Sequence, residues 1–238
     1  MILILDQGNT SLKAGWFEDG SLVREATYPN ATALAEDLDK APPERIGIGS
    51  VGAKEEDIKK VLQEYAKIDL IDNTWPLPLV NQYATPKTLG IDRIAAAVGA
   101  WTLYPGESLL VIDLGTCITY DFVDAGGVYH GGNISPGLYM RLQAMAHFTA
   151  RLPNPGANLE VNLVGNSTDT ALQSGALYGI LGEIEGMMAR YSHLFGPLRV
   201  CLTGGDAPAF ESKLKEPIFA VRNLVLIGLH TILTKHAG

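Results

Sequence analysis

Apolar residues along the chain come in two patterns: short dense runs that stop at an aspartate, and longer stretches in which they recur every three to four positions. Residues 1–5 lead into Asp6, and 109–112 lead into Asp113. Runs this short, rich in Ile, Leu and Val and without alternation, predict strands buried on both faces. After each comes Asp-x-Gly, then a second strand-like stretch at 12–17 or 118–123, then a turn at 18–20 or 124–127. A strand, glycine turn and strand are thus present in duplicate. Helical spacing is clearest at 33–38, 55–66, 93–101 and 170–191, with a C-terminal helix expected at 223–235. Residues 45–51, 68–71 and 198–202 read as strands between them. This alternation predicts an α/β fold.

Length alone leaves one domain or two open, because 238 residues can fill either a single large core or two of about 120 residues. The duplicated Asp-x-Gly openings favour two related halves. Pro76, Pro78, Pro86 and Pro105, with Gly106, mark the expected border near Gly106, giving domains 1–106 and 107–238. Hydrophobic residues make up 47% of the chain, enough for a core, yet no apolar run approaches the roughly 20 residues of a membrane span. No membrane association is expected. Met1 runs directly into apolar sequence without a basic segment or cleavage site, so a cytoplasmic location is expected. Cys117 and Cys201 are too few for a disulfide framework or a zinc site and are expected to be buried thiols. A net charge of −8 without a Lys/Arg cluster leaves a nucleic acid backbone little to bind, and no nucleic acid partner is expected.

The first Asp-x-Gly turn suits phosphate. Gly8 lets backbone N–H groups approach an anion, Asn9, Thr10 and Ser11 add donors, and Lys13 adds a cation. Asp6 beside such a turn suits a hydrated magnesium ion, which takes one or two carboxylates together with phosphate oxygens. Ordinary β-turns use the same residue types, so a single copy carries little. The second copy, Asp113 to Thr116, makes the signal specific, since two such loops fit a nucleotide held between related domains. Thr203-Gly204-Gly205-Asp206-Ala207 follows another strand, and its paired glycines permit flat packing of a base or ribose.

These three stations, in this order, resemble those of the acetate and sugar kinase, Hsp70 and actin superfamily. Finer motifs resemble one family, the type III pantothenate kinases: Asp6-x-Gly-Asn-Thr-x-x-Lys13, Leu89-Gly90-Ile91-Asp92-Arg93, Asp113-x-Gly-Thr-x-x-Thr119, Gly131-Gly132-x-Ile-x-Pro-Gly137, Asn166-Ser167-Thr168 before Ala171-x-x-Ser-Gly175, and Thr203-Gly204-Gly205. They extend over nearly the whole chain. One departure is Cys117, where the family more often has alanine.

The resemblance implies two related actin-like (ribonuclease H-like) domains with a nucleotide cleft between them, and ATP-dependent phosphorylation of pantothenate, the first step toward coenzyme A. It places Asp6, Gln7, Gly8, Asn9, Thr10, Ser11, Leu12 and Lys13 on the ATP phosphates with Thr116, and Gly204 and Gly205 in the adenosine loop. Asp6 would hold magnesium through water. Asp92 is the implied general base, with Tyr83, Gly90, Ile91, Arg93 and Thr168 contacting pantothenate. Asp113 is the implied ligand of a monovalent cation, potassium or ammonium, and a homodimer is implied. Without the resemblance, Asp92 and Thr168 read equally well as helix-capping residues and Arg93 as a solvated helix-start charge. Two other readings share the phosphate loops: a kinase or phosphatase with a different small substrate, and a non-catalytic nucleotide-binding regulator.

Overall fold

The computed structural model describes residues 1–8, 11–50, 55–214 and 218–236. In chain order the first stretch forms β1 (Ile2–Gln7), β2 (Leu12–Glu18), β3 (Ser21–Tyr28), α1 (Ala31–Leu38), β4 (Arg45–Ser50), α2 (Glu55–Leu62), β5 (Lys67–Ile71), β6 (Val80–Asn81) and α3 (Ile91–Leu103). Then come β7 (Leu109–Leu114), β8 (Cys117–Val123), β9 (Val128–Pro136), α4 (Leu138–Phe148), α5 (Thr168–Phe195), β10 (Arg199–Thr203), α6 (Ala207–Glu211), β11 (Ile218–Ala220) and α7 (Leu224–His236). Contacts divide the chain into two compact units that are not contiguous halves. The first contains Met1–Gly106, the hairpin tip Val123–His130 and the segment from Asn223, and the second contains Glu107–Phe122 and Gly131–Arg222. Unlike the expected division at Gly106 alone, the tip and α7 pack with the first unit. Among the described residues no helix is long and apolar enough to cross a membrane.

In the first unit a sheet of order β3-β2-β1-β4-β5 has helices on both faces. Side chains alternate along a strand, so β1 sorts its residues by parity. Leu3 and Leu5 join Leu12, Ala14 and Trp16 of β2, Ile46 and Ile48 of β4, and the inner sides of α1 and α2 in one apolar cluster. Ile4 and Asp6 point the other way. On that opposite face Phe17 stacks on His230 of α7 at 4.1 Å, and side chains of α7 lie where a Cβ at Gly15, Gly47 or Gly49 would stand. β1 is therefore buried on both sides, which is why it reads as an uninterrupted apolar run.

The helices α3 and α7 share that second face and touch backbone to backbone. A Cβ on Gly99 would strike the carbonyl of Leu224, and one on Gly228 would strike the carbonyl of Ala95. Ile94 through Val98 and Ala100 are at most 1% exposed, so α3 is apolar on every side because it is covered on every side. The tip Val123–His130 adds a short ladder in the same unit, with Val80 opposite Val128 and Asn81 opposite Tyr129.

In the second unit the strands run β11-β10-β7-β8-β9. Leu110, Ile112 and Leu114 of β7 pack with Val200 and Leu202 of β10 and with the apolar side of α5, from Leu172 to Met188. Cys201 is fully buried, but Cys117 is only half-buried, contrary to expectation, because it opens β8 at the turn after β7. β3 and β9, like the short β6 and β11, escape the apolar pattern. β3 is a mostly exposed edge strand, joined to β2 by a two-residue turn whose Asp19 (φ 47°) and Gly20 (φ 81°) both adopt left-handed backbone, the turn type that suits hairpin twist. The glycine-rich motif at 131–137 is mostly the end of β9, and Gly132 is needed there because a Cβ would collide with the carbonyl of Tyr120 on β8.

The α3–α7 crossing predicts a large penalty for any side chain at the contact. Gly228→Val should destabilise the protein by about 3 kcal/mol or more, read as a lowered urea midpoint, because the nearest obstacle is backbone and cannot step aside.

Candidate active site

In the first unit the expected phosphate turn lies at the carboxyl end of β1, the end of an α/β strand where ligands characteristically bind. Gly8 N–H donates to the Ser11 carbonyl at 3.1 Å. The amide of Gln7, only 7% exposed, donates to the carbonyls of Gly8 and Ser11, so it staples the turn from inside. Leu12 is in the core, which leaves its backbone as the part able to meet a ligand. Asn9 and Thr10 lie outside the described residues.

Asp6 and Lys13 are direct partners across the β1–β2 ladder and therefore share one face of the sheet. That face is the one covered by α3 and α7, and Asp92 lies in the first turn of α3. Burial pushes the Asp6 carboxyl up to about 6; Lys13 pulls it down, and the negative charge of Asp92 pushes it up again. Two carboxylates and a lysine from three separate elements thus meet in one electrostatic neighbourhood. Among the described residues no cluster of three or more His, Cys, Asp and Glu side chains forms a metal cage. A desolvated carboxylate beside a second one does fit a hydrated magnesium ion, which brings water and phosphate oxygens as its remaining ligands.

Gly90 precedes α3 and makes no side-chain cap; a Cβ there would run into the carboxylate of Asp92, which folds back to accept the Arg93 N–H at 2.8 Å. Ile91 is buried. Arg93, read above as a solvated charge in the absence of the family resemblance, is only 7% exposed, and its guanidinium lies 5.8 Å from the ring centre of Tyr83. Tyr83 in turn leans on Tyr129, with ring centres 6.4 Å apart. The structure therefore brings Asp6, Lys13, Tyr83, Gly90, Asp92 and Arg93 together within the first unit.

In the second unit Asp113, Gly204 and Gly205 gather at the carboxyl ends of β7 and β10, where Asp113 pairs with Thr203 in register, with Thr116 in the turn after β7. Gly204, with φ 100°, presses so closely that a Cβ would meet the Asp113 carboxylate and the Leu114 backbone, and Asp206 N–H donates to the Leu114 carbonyl at 3.0 Å. Beside Gly205 the space is open. Thr116 is exposed in the turn closed by Gly115 N–H to the Cys117 carbonyl at 3.0 Å. Gly137, at the start of α4, donates to the Thr116 carbonyl at 3.0 Å. Thr168 opens α5, but the cap is made by Ser167 with Thr170 in a reciprocal box, so Thr168 stands outside it.

Some contributors are silent in the sequence. The Asn73 amide that donates to the carbonyls of Pro86 and Leu89 ahead of Gly90, and Glu183 of α5, act through partners distant in sequence, with no motif to announce them. Gln7 stands in the expected phosphate motif, but the staple it makes inside the turn has no sequence signal.

A profile of the type III pantothenate kinases matches residues 2–190. The type III pantothenate kinase of Cytophaga hutchinsonii is 42% identical over 98% of this chain and 98% of its own, and that of Bacteroides fragilis is 44% identical over 100% and 99%. Among solved structures, a candidate transcriptional activator of the Baf family from Campylobacter jejuni superposes with a TM-score of 0.63 at 21% identity, covering 99% of this chain and 98% of its own. A candidate N-acetylmannosamine kinase from Listeria monocytogenes gives 0.54 at 14%, covering 100% and 99%. At such identities the likeness speaks for the fold alone, the α/β arrangement described above. With a family profile over most of its length and full-length relatives above 40% identity, the chain belongs to the type III pantothenate kinase family.

Proposed function

We propose that this protein transfers the terminal phosphoryl group of ATP to the primary hydroxyl of pantothenate, opening the route to coenzyme A. The observation that carries the site assignment is the meeting of Asp6, Lys13 and Asp92 on one face of the first unit, beside the Tyr83–Arg93 pair.

Phosphoryl transfer asks a protein chiefly for alignment and charge stabilisation. The turn from Gly8 to Lys13 holds phosphate oxygens with backbone N–H groups and the lysine charge, with Asn9 and Thr10 part of that same segment. Asp6 is positioned for magnesium, which when bound neutralises the phosphate charge. Asp92 orients the attacking hydroxyl and accepts its proton. Arg93 meets the carboxylate of pantothenate, and Tyr83, Gly90, Ile91 and Thr168 line its site. In the other unit Thr116 holds phosphate, Asp113 binds potassium or ammonium, and Gly204 and Gly205 accept the adenosine. A homodimer is supported by the exposed Tyr139 and Phe148 of α4, at 57% and 82%, and the working place of the enzyme is the cytoplasm.

ADP release measured with and without pantothenate, at several potassium concentrations, tests the activity; nucleotide binding without pantothenate-stimulated turnover would leave the regulator reading in its place. Asp92→Asn should abolish turnover while ATP still binds, and near-normal turnover would remove the base assignment. Asp113→Ala should remove the response to potassium or ammonium, and an unchanged response would misplace that ion. For Asp6 the sign follows from a folded-state value of about 6 against 3.8 unfolded. The carboxyl costs nothing below about pH 4, and the protein loses stability as pH rises from there through 6. Asp6→Asn should therefore stabilise the ligand-free protein by about 1–3 kcal/mol at pH 8, discounted for partial exposure, with no gain at pH 4, while turnover collapses. Urea midpoints at both pH values check this, and equal midpoints would refute the desolvation.

A further inference from the structure

A single carboxylate in the second unit ties together four elements around the turn that carries Thr116. Glu183, midway along α5, accepts hydrogen bonds from the hydroxyl of Tyr120 on β8 at 2.9 Å, from the hydroxyl of Ser135 on β9 and from the guanidinium of Arg141 on α4. The burial of Glu183 would raise its carboxyl, but these three donors outweigh it and hold the group below its ordinary value. The same contact pushes the Tyr120 hydroxyl far up, since burial and the neighbouring carboxylate both disfavour a phenolate.

Arg141 does two things at once. While one nitrogen pairs with Glu183, its Nε donates to the carbonyl of Pro136 at 2.8 Å. Glu183 therefore holds both Ser135 directly and Pro136 through Arg141, and the next residue is Gly137. Gly137 donates to the Thr116 carbonyl at 3.0 Å and lies so close that a Cβ would strike the carbonyls of Gly115 and Thr116. Nothing softer than backbone separates the two segments, so a shift of 135–137 is passed on to Thr116. The space beside the guanidinium is left by Gly179, one turn before Glu183, where a Cβ would stand 3.4 Å from an Arg141 nitrogen.

We infer that Glu183, acting through Ser135, Arg141 and Pro136, is a positioning residue that fixes the Thr116 turn for the phosphates of ATP. The inference rests on the proposed role of Thr116. Neutralising the carboxylate keeps an acceptor for the two hydroxyls but removes the charge that holds Arg141 in its double contact. Lysine at 141 can pair with Glu183 but cannot serve both it and Pro136 in the fixed fork geometry.

The test is the Kd of Mg-ATP by calorimetry, with KM values for ATP and pantothenate and thermal midpoints, on the full chain. Glu183→Gln should weaken ATP about tenfold, the loss of roughly one charge-assisted hydrogen bond, with the pantothenate KM within twofold. Arg141→Lys should shift ATP in the same direction, and it decides the matter if Glu183→Gln does not fold. An unchanged ATP Kd with a lowered midpoint would reduce the network to a structural brace and overturn the inference, as would an equal rise of both KM values. Because calorimetry needs no turnover, absence of pantothenate phosphorylation in the unmodified enzyme would count against the proposed activity alone.

Discussion

In the first unit two helices lie backbone against backbone, with Gly99 over the Leu224 carbonyl and Gly228 over that of Ala95. Everything chemical in that unit depends on this approach. It sets how deep α3 sits against the sheet, and with it where Asp92 and Arg93 stand relative to Asp6 and Lys13. Van der Waals contact between backbones leaves no rotamer to absorb an error, so the position of the helix is defined more sharply than side-chain packing alone would define it. α7 is pressed onto the sheet in the same way, with Leu229 over Gly49 and Leu233 over Gly47, the strand positions beside Asp6 and Ile4.

Much of this was readable beforehand, and what was readable has a physical reason. β1 and β7 announce themselves because burial on both faces makes them apolar throughout, and α3 and α7 because they are covered all round. The motif glycines were also visible, Gly137 and Gly204 being required by contacts closer than any side chain allows. β3 was invisible because an exposed edge strand needs no apolar period, although its Asp-Gly turn was in plain view. β9 was hidden by its own glycines, which look like loop but serve close strand packing. Membership of α7 in the first unit is a tertiary fact, since a largely apolar helix does not say which sheet it will cover. Among site residues, those with a motif were legible and those that act through distant partners, Asn73 and Glu183, were not.

The acidity of the chain, −8 overall, poses a problem for a protein that must accept two anions. Its answer is local. Lys13 is paired in register with Asp6, and Arg93 is buried beside Tyr83, so the cations are fixed by the fold where they are needed while the acidic groups are spread along the chain. The carboxyl of Asp6, raised to about 6 by desolvation, is costly without a cation and comfortable with one. A cation bound there would recover the stability given up at that position.

The place of α7 also dictates the order in which the chain can mature during synthesis. The second unit is complete once Arg222 has been made, but the sheet bearing Asp6 lacks one of its two covers until the helix from Leu224 to His236 has emerged. The residues of β1 are thus made well before the last cover of their sheet. No nascent fragment holds Asp6 and Asp92 in working register, and a chain broken off before Leu224 presents an uncovered apolar sheet face of the kind that quality-control proteases and chaperones recognise.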